Sequence, residues 1–164
     1  MNIFLAALVA TALLASGPQV FAHGDEHGKK TVKKISKEEK EFGRQGDPKK
    51  VGKTIEIDMA DTMRYTPDTV TVRRGDTIKF IVKNSGKQTH EMVIGTQKEL
   101  KEHAELMRKF PTMEHEEPYM IHVSAGKTEE MVWQFTKAGE FHFGCLLPGH
   151  FEAGMKGKIS VVSK

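Results

Sequence analysis

The sequence predicts an all-β fold, a β-sandwich with one short inserted helix, and three observations carry that prediction. Seven short runs rich in β-branched and aromatic residues lie between positions 54 and 162, turn formers separate them, and one helical pattern interrupts them once. Short strands at this spacing suit an antiparallel sandwich.

The runs are Thr54 to Met59, Thr69 to Val72, Thr77 to Lys83, Met120 to Ser124, Thr128 to Phe135, Glu140 to Cys145 and Lys158 to Val162. Between them stand Pro67-Asp68, Arg74-Gly75-Asp76, Asn84-Ser85-Gly86, Ala125-Gly126 and Ala138-Gly139, where hairpins or sheet crossings need tight turns. Thr96-Gln97-Lys98-Glu99 reads as a capping box. Leu100, Ala104 and Met107 then recur at helical spacing until Phe110-Pro111, so a helix is expected over 97–110.

The first 22 residues carry no charged side chain, and the apolar run Ile3 to Ala15 is too short to span a bilayer. Ser16-Gly17-Pro18 and then Val20-Phe21-Ala22 follow it, as in a secretory leader, so residues 1–22 are expected to be removed before His23. The n-region departs from the usual pattern in having no Lys or Arg. Export implies an oxidising compartment, secreted or periplasmic, with no stable membrane insertion.

Residues 23–53 hold ten Lys or Arg against six Asp or Glu, whereas 54–164 hold fifteen against sixteen, so the net charge of +3 sits in this basic stretch. With only Val32, Ile35, Phe42 and Val51 as sizeable apolar residues, it is expected to be a flexible arm without a core of its own. It opens with His23-Gly24-Asp25-Glu26-His27, which suits either metal capture or a plain solubilising tail. One cysteine in 164 residues excludes a disulfide-stapled miniprotein, and a charge of +3 gives no footprint for nucleic acid.

The chemistry concentrates in Cys145-Leu146-Leu147-Pro148-Gly149-His150-Phe151-Glu152-Ala153-Gly154-Met155. A thiolate, an imidazole and a thioether on one loop between two strands form a soft donor set that suits copper; two His, one Cys and a distant axial Met make a type 1 electron-transfer site. The second imidazole must come from elsewhere, and His90 fits, opening the apolar run Met92-Val93-Ile94 after a turn. Singly, each residue has an ordinary reading: a buried small hydrophobe, core filling, a surface histidine, a plain turn. Together, the spacing Cys-x4-His-x4-Met is specific. A catalytic Cys–His pair is the chemical rival, and the loop offers no third residue to orient its histidine.

Tyr65-Thr66-Pro67, Val70-Thr71-Val72, Gly75-Asp76-Thr77-Ile78-Lys79-Phe80, Asn84, His90 and the Cys145 to Met155 loop together resemble the cupredoxins, the family of plastocyanin and azurin, over residues 54–164. The resemblance implies a Greek-key sandwich with His90, Cys145 and His150 as equatorial ligands and Met155 as the axial one. The stretch Glu102 to Pro111, with Met113-Glu114-His115, is similar to periplasmic cupredoxins of bacterial copper tolerance, which implies copper handling as well as electron transfer. Glu91 departs from the plastocyanin pattern, which places Asn after the first histidine ligand.

Met92, His103, Met107, Met113, His115, Met120 and His122 crowd into one stretch, where they form either a second, Cu(I)-preferring site or ordinary core and surface. The expectation is therefore a copper-binding protein rather than an enzyme, with Cu(I) oxidation as the reaction open to it. Its partners would be redox or copper-handling proteins of the periplasm. The alternative is a dedicated electron shuttle between respiratory partners, which expects one copper per chain.

Overall fold

Strands β3 (Lys53–Ala60), β6 (Thr77–Asn84) and β9 (Thr128–Gln134) alternate buried apolar with exposed polar side chains, the period that leaves a sheet one face to bury. The computed structural model describes residues 35–113 and 115–163. The leader expected over 1–22, the first part of the arm, and His23 and His27 lie outside the described residues.

Two sheets form. The first runs β1 (Glu39–Lys40), β2 (Gly43–Gln45), β9, β6, β3 and β4 (Arg64–Thr66). The second runs β5 (Thr69–Arg73), β11 (Lys156–Val162), β10 (Gly139–Gly144), β7 (His90–Gly95) and β8 (Met120–Val123). Ile57, Phe80, Val82 and Trp133 from the first sheet meet Met92, Ile94, Phe143 and Ile159 from the second in one core. Burying each such side chain contributes roughly 1.5–3 kcal/mol.

All seven expected strands are present, and the structure adds β7, which the sequence shows as the apolar run that His90 opens, and the short β1, β2 and β4. The strand spacing suits an antiparallel sandwich, and two pairings depart from that by running parallel: β3 with β6, Lys53 opposite Ile78, and β5 with β11, Lys158 opposite Thr69. The chain leaves the first sheet after β4, places β5 in the second, and re-enters beside β3 with β6 running the same way. A crossover of this kind is what a parallel neighbour requires.

The helix, α1 (Gln97–Lys109), starts as read: the Thr96 hydroxyl accepts from the Glu99 N–H while the Glu99 carboxylate accepts from the Thr96 N–H. Leu100, Ala104 and Met107 face a second, smaller core with Val93, Met120 and Leu146. The helix therefore packs against Leu146, the neighbour of Cys145.

The stretch expected to be a loose arm contributes its second half to the sandwich. Strand β2 pairs with β9, Arg44 opposite Gln134, and Phe42 is buried, stacked on Trp133 at 5.4 Å and edge-on to Tyr119 at 5.4 Å. The Trp133 indole N–H donates to the Phe42 carbonyl at 2.9 Å. Gly43 makes this seat possible: at φ +123°, any side chain there would run into the Gln134 carbonyl and the Trp133 ring. Composition missed the docking because the partners of Phe42 lie far along the chain.

Candidate metal centre

Three strands bring the donors together. His90 opens β7, Cys145 directly follows β10, and the pairing of β10 with β7, Gly144 opposite Val93, puts the two strand ends side by side. On the other side β10 pairs with β11, Gly144 opposite Lys156, so the loop 145–155 leaves and returns at adjacent positions. The loop is tied by its own backbone: Cys145 N–H to Met155 O at 3.1 Å, Met155 N–H to His150 O at 3.0 Å, His150 N–H to Leu147 O at 3.0 Å. The Arg64 guanidinium donates to Ala153 O at 2.9 Å and anchors it to β4.

The two imidazoles and the thiol converge. His150 Nδ1 lies 3.2 Å from His90 Nδ1 and 3.2 Å from Cys145 Sγ, and one donor atom from each residue falls within 4.8 Å of the others. That spacing admits one ion at ordinary metal–nitrogen and metal–sulfur bond lengths of roughly 2.0–2.3 Å. Two nitrogens and a sulfur are a donor set suited to copper, so the residues fit the metal. Met155 is fully buried, and its backbone bonds to both loop donors, which places it beside them.

Burial pushes the Cys145 thiol up to about 12, and burial first, then the neighbouring His90, holds His150 below the usual imidazole range. Without metal the centre therefore presents a protonated thiol and a neutral imidazole. His90 and Cys145 are inaccessible, whereas an edge of His150 reaches solvent.

The surroundings hold two carboxylates. Glu91 is buried; its Oε1 accepts from the Leu146 N–H at 2.7 Å, and its Oε2 lies 2.8 Å from His122 Nε2. It thus bridges β7 to the cysteine loop, and it raises the pKa of His122. The second is Asp61, in the turn after β3, whose Oδ1 lies 3.0 Å from His90 Nε2. Sequence reasoning passed over Asp61, and no local pattern marks it, since it meets His90 only across the fold. Asn84, by contrast, is visible in the sequence as the first residue of the turn before His90. Its amide donates to Gln88 O at 2.7 Å and Val123 O at 2.8 Å, shaping the turn that delivers His90.

The Met/His stretch divides. Met92 lies in the main core, and Met120 and Met107 in the smaller one, as ordinary packing predicts. Met107, Met113, His115 and His122 nevertheless line a cleft of about 620 Å³ together with Leu147 of the cysteine loop. The His115 ring lies 4.6 Å from that of His103, and neither of its buried nitrogens has a hydrogen-bond partner.

The family model for copper binding proteins of the plastocyanin/azurin family matches residues 51–162. The chain is 47% identical over 157 residues to the copper-resistant cuproprotein CopI of Rubrivivax gelatinosus, covering 95% of this chain and 94% of that one. It is 30% identical to the CopI of Vibrio cholerae, over 94% of this chain and 97% of that one. Among solved structures, reduced auracyanin of Roseiflexus castenholzii superposes with a TM-score of 0.58 at 24% identity, over 68% of this chain and 98% of that one, a likeness of fold.

Proposed function

Because the chain belongs to the plastocyanin/azurin family of copper-binding proteins, we propose that it acts in the periplasm, through a type 1 centre doing one-electron chemistry in copper tolerance. The convergence of one donor atom each from His90, Cys145 and His150 within 4.8 Å carries this reading, and Met155, buried and bonded through its backbone to Cys145 and His150, would be the further sulfur donor. The relatives named as copper-resistant cuproproteins support the task.

When bound, copper supplies a one-electron Cu(I)/Cu(II) couple. The residues supply the rest. Backbone bonds across the loop hold Cys145, His150 and Met155 in one arrangement, so little moves when the charge at the centre changes. The buried thiol must give up its proton on loading, and the neutral His150 ring needs none removed. The burial of His90 and Cys145 excludes water, which leaves the exposed edge of His150, beside Phe151, as the contact for a redox partner.

Copper tolerance also makes copper a cargo. The cleft of Met107, Met113, His115 and His122 offers thioethers and imidazoles, a set that prefers Cu(I), next to the loop of the centre. The unpartnered nitrogens of His115 favour this reading over a plain electron shuttle.

Titration of the mature protein with copper, followed by optical absorption and EPR, tests both levels. An intense thiolate-to-copper band that saturates at one equivalent and vanishes in Cys145→Ala is the expected signature of the centre. Cuprous ion bound beyond that equivalent, retained in Cys145→Ala and lost in a His115→Ala/Met113→Ala variant, is expected for tolerance. Strict one-to-one binding would favour the shuttle, and no band at all would refute the centre.

A further inference from the structure

Outside the proposed donors, one carboxylate reaches a donor ring directly. Asp61 Oδ1 lies 3.0 Å from His90 Nε2, the nitrogen on the far side of the ring from Nδ1, which faces His150 Nδ1 at 3.2 Å. The contact belongs to a built seat. The same carboxylate accepts from the Lys87 N–H at 2.8 Å and the Gln88 N–H at 3.3 Å, the two residues before Thr89 and His90. Gly86 leaves it room, because a Cβ at that position would fall inside the Asp61 carboxylate. The His90 side chain is fully buried while that of Asp61 is one-third exposed (33%), so the carboxylate closes the outer side of the ring and keeps some hydration of its own.

We propose that Asp61 is a positioning residue of the centre: it holds His90 as the Nε2–H tautomer with Nδ1 free for the metal, and its negative charge biases the bound ion toward Cu(II). The inference rests on the ligand reading proposed above. A carboxylate on the outer nitrogen fixes tautomer and ring orientation and makes the inner nitrogen a stronger donor. A fixed negative charge linked to the ion through one ring favours the more highly charged oxidation state, and burial of the ring limits the screening of that charge. For a protein that handles copper, this bias favours retention of the cupric ion.

The test compares Asp61→Asn, Asp61→Ala and Gly86→Ala with the wild-type mature chain. In metal-free protein, nitrogen-15 NMR of the histidine rings is expected to show a single Nε2–H tautomer for His90, kept in Asp61→Asn and mixed in Asp61→Ala. In copper-loaded protein, both Asp61 variants are expected to lose at least tenfold in the ratio of Cu(II) to Cu(I) affinity. That loss is a positive shift of about 59 mV in midpoint potential for a one-electron couple. Gly86→Ala, which displaces the carboxylate without removing it, should move the potential the same way and carries the test if Asp61→Ala does not fold.

A purely structural Asp61 would leave the potential of Asp61→Asn at the wild-type value, because Asn can still accept from the loop N–H groups. A ratio within twofold of wild type in both Asp61 variants overturns the charge bias, and an unchanged His90 tautomer in Asp61→Ala overturns the positioning. Failure of the ligand reading itself looks different: the wild type would show no thiolate-to-copper band, while the NMR comparison would still decide what Asp61 does to His90.

Discussion

Replacing Glu91 with alanine should weaken the fold and the centre together. The buried carboxylate accepts from the Leu146 N–H at 2.7 Å, one residue past Cys145, and its other oxygen lies 2.8 Å from His122 Nε2. Alanine leaves the Leu146 N–H buried without a partner, which costs about 1–3 kcal/mol, and removes a bond to a charged group worth about 1.5–3 kcal/mol. These overlap, so the expected loss is roughly 2–4 kcal/mol. For a folded unit of about 130 residues, unfolding entropy near 2.1 cal/mol/K per residue converts this to a fall in Tm of about 7–15 °C. Glu91→Gln keeps an acceptor for Leu146 and should lose less than half as much. Calorimetry of the metal-free protein at pH 6 reads both variants, and the thiolate-to-copper band of the loaded protein should shift in Glu91→Ala, whose cysteine loop has lost its tie to β7. A Glu91→Ala protein melting within about 2 °C of wild type, or a Glu91→Gln protein melting as low as the alanine variant, would refute the bridge.

His122 carries a pKa raised chiefly by its contact with Glu91, so its stabilising contribution is fully present below the ordinary imidazole value near 6.5 and is lost as pH rises through the raised folded value. The Tm gap between wild type and His122→Gln should accordingly be widest in mild acid and close in alkali; a gap that widens with pH contradicts the pairing. Phe42→Ala should cost about 3–5 kcal/mol, a fall of about 11–18 °C by calorimetry, because the ring fills a seat between Trp133 and Tyr119. Melting within a few degrees of wild type would show that β1 and β2 do not belong to the cooperative unit. In metal-free protein the Cys145 thiol, pushed up to about 12, holds about a thousandfold less thiolate at pH 8 than free cysteine, and even with its more nucleophilic thiolate it should react with a disulfide reagent at least about tenfold more slowly. A rate near that of the free amino acid would show that the thiol is neither buried nor protonated.

Local features of the fold are legible in the chain itself. The capping box at Thr96 and the alternation along Thr77 to Lys83 involve residues within a turn or strand of each other, where chain geometry alone decides which side chains meet. The same holds for Cys145, His150 and Met155, which share one loop, so their spacing alone points to a candidate donor set. His90 was reachable by a weaker route, as an imidazole at the head of an apolar strand after a turn. Glu91 was noticed as an unusual neighbour, but its role as a bridge was not.

Contiguous residues suffice for the sandwich, the inserted helix and the candidate donors that suit copper, because periodicity, capping and loop spacing are local properties of the chain. It takes the packed fold to set β3 parallel to β6, Phe42 in the core, Glu91 on the Leu146 N–H and Asp61 on His90. Those contacts join positions from 25 to 91 residues apart. Each exists because two sheets buried their apolar faces against each other and carried the polar groups of distant turns to the same place. No stretch of chain records such an outcome, since the burial that produces it belongs to the whole fold.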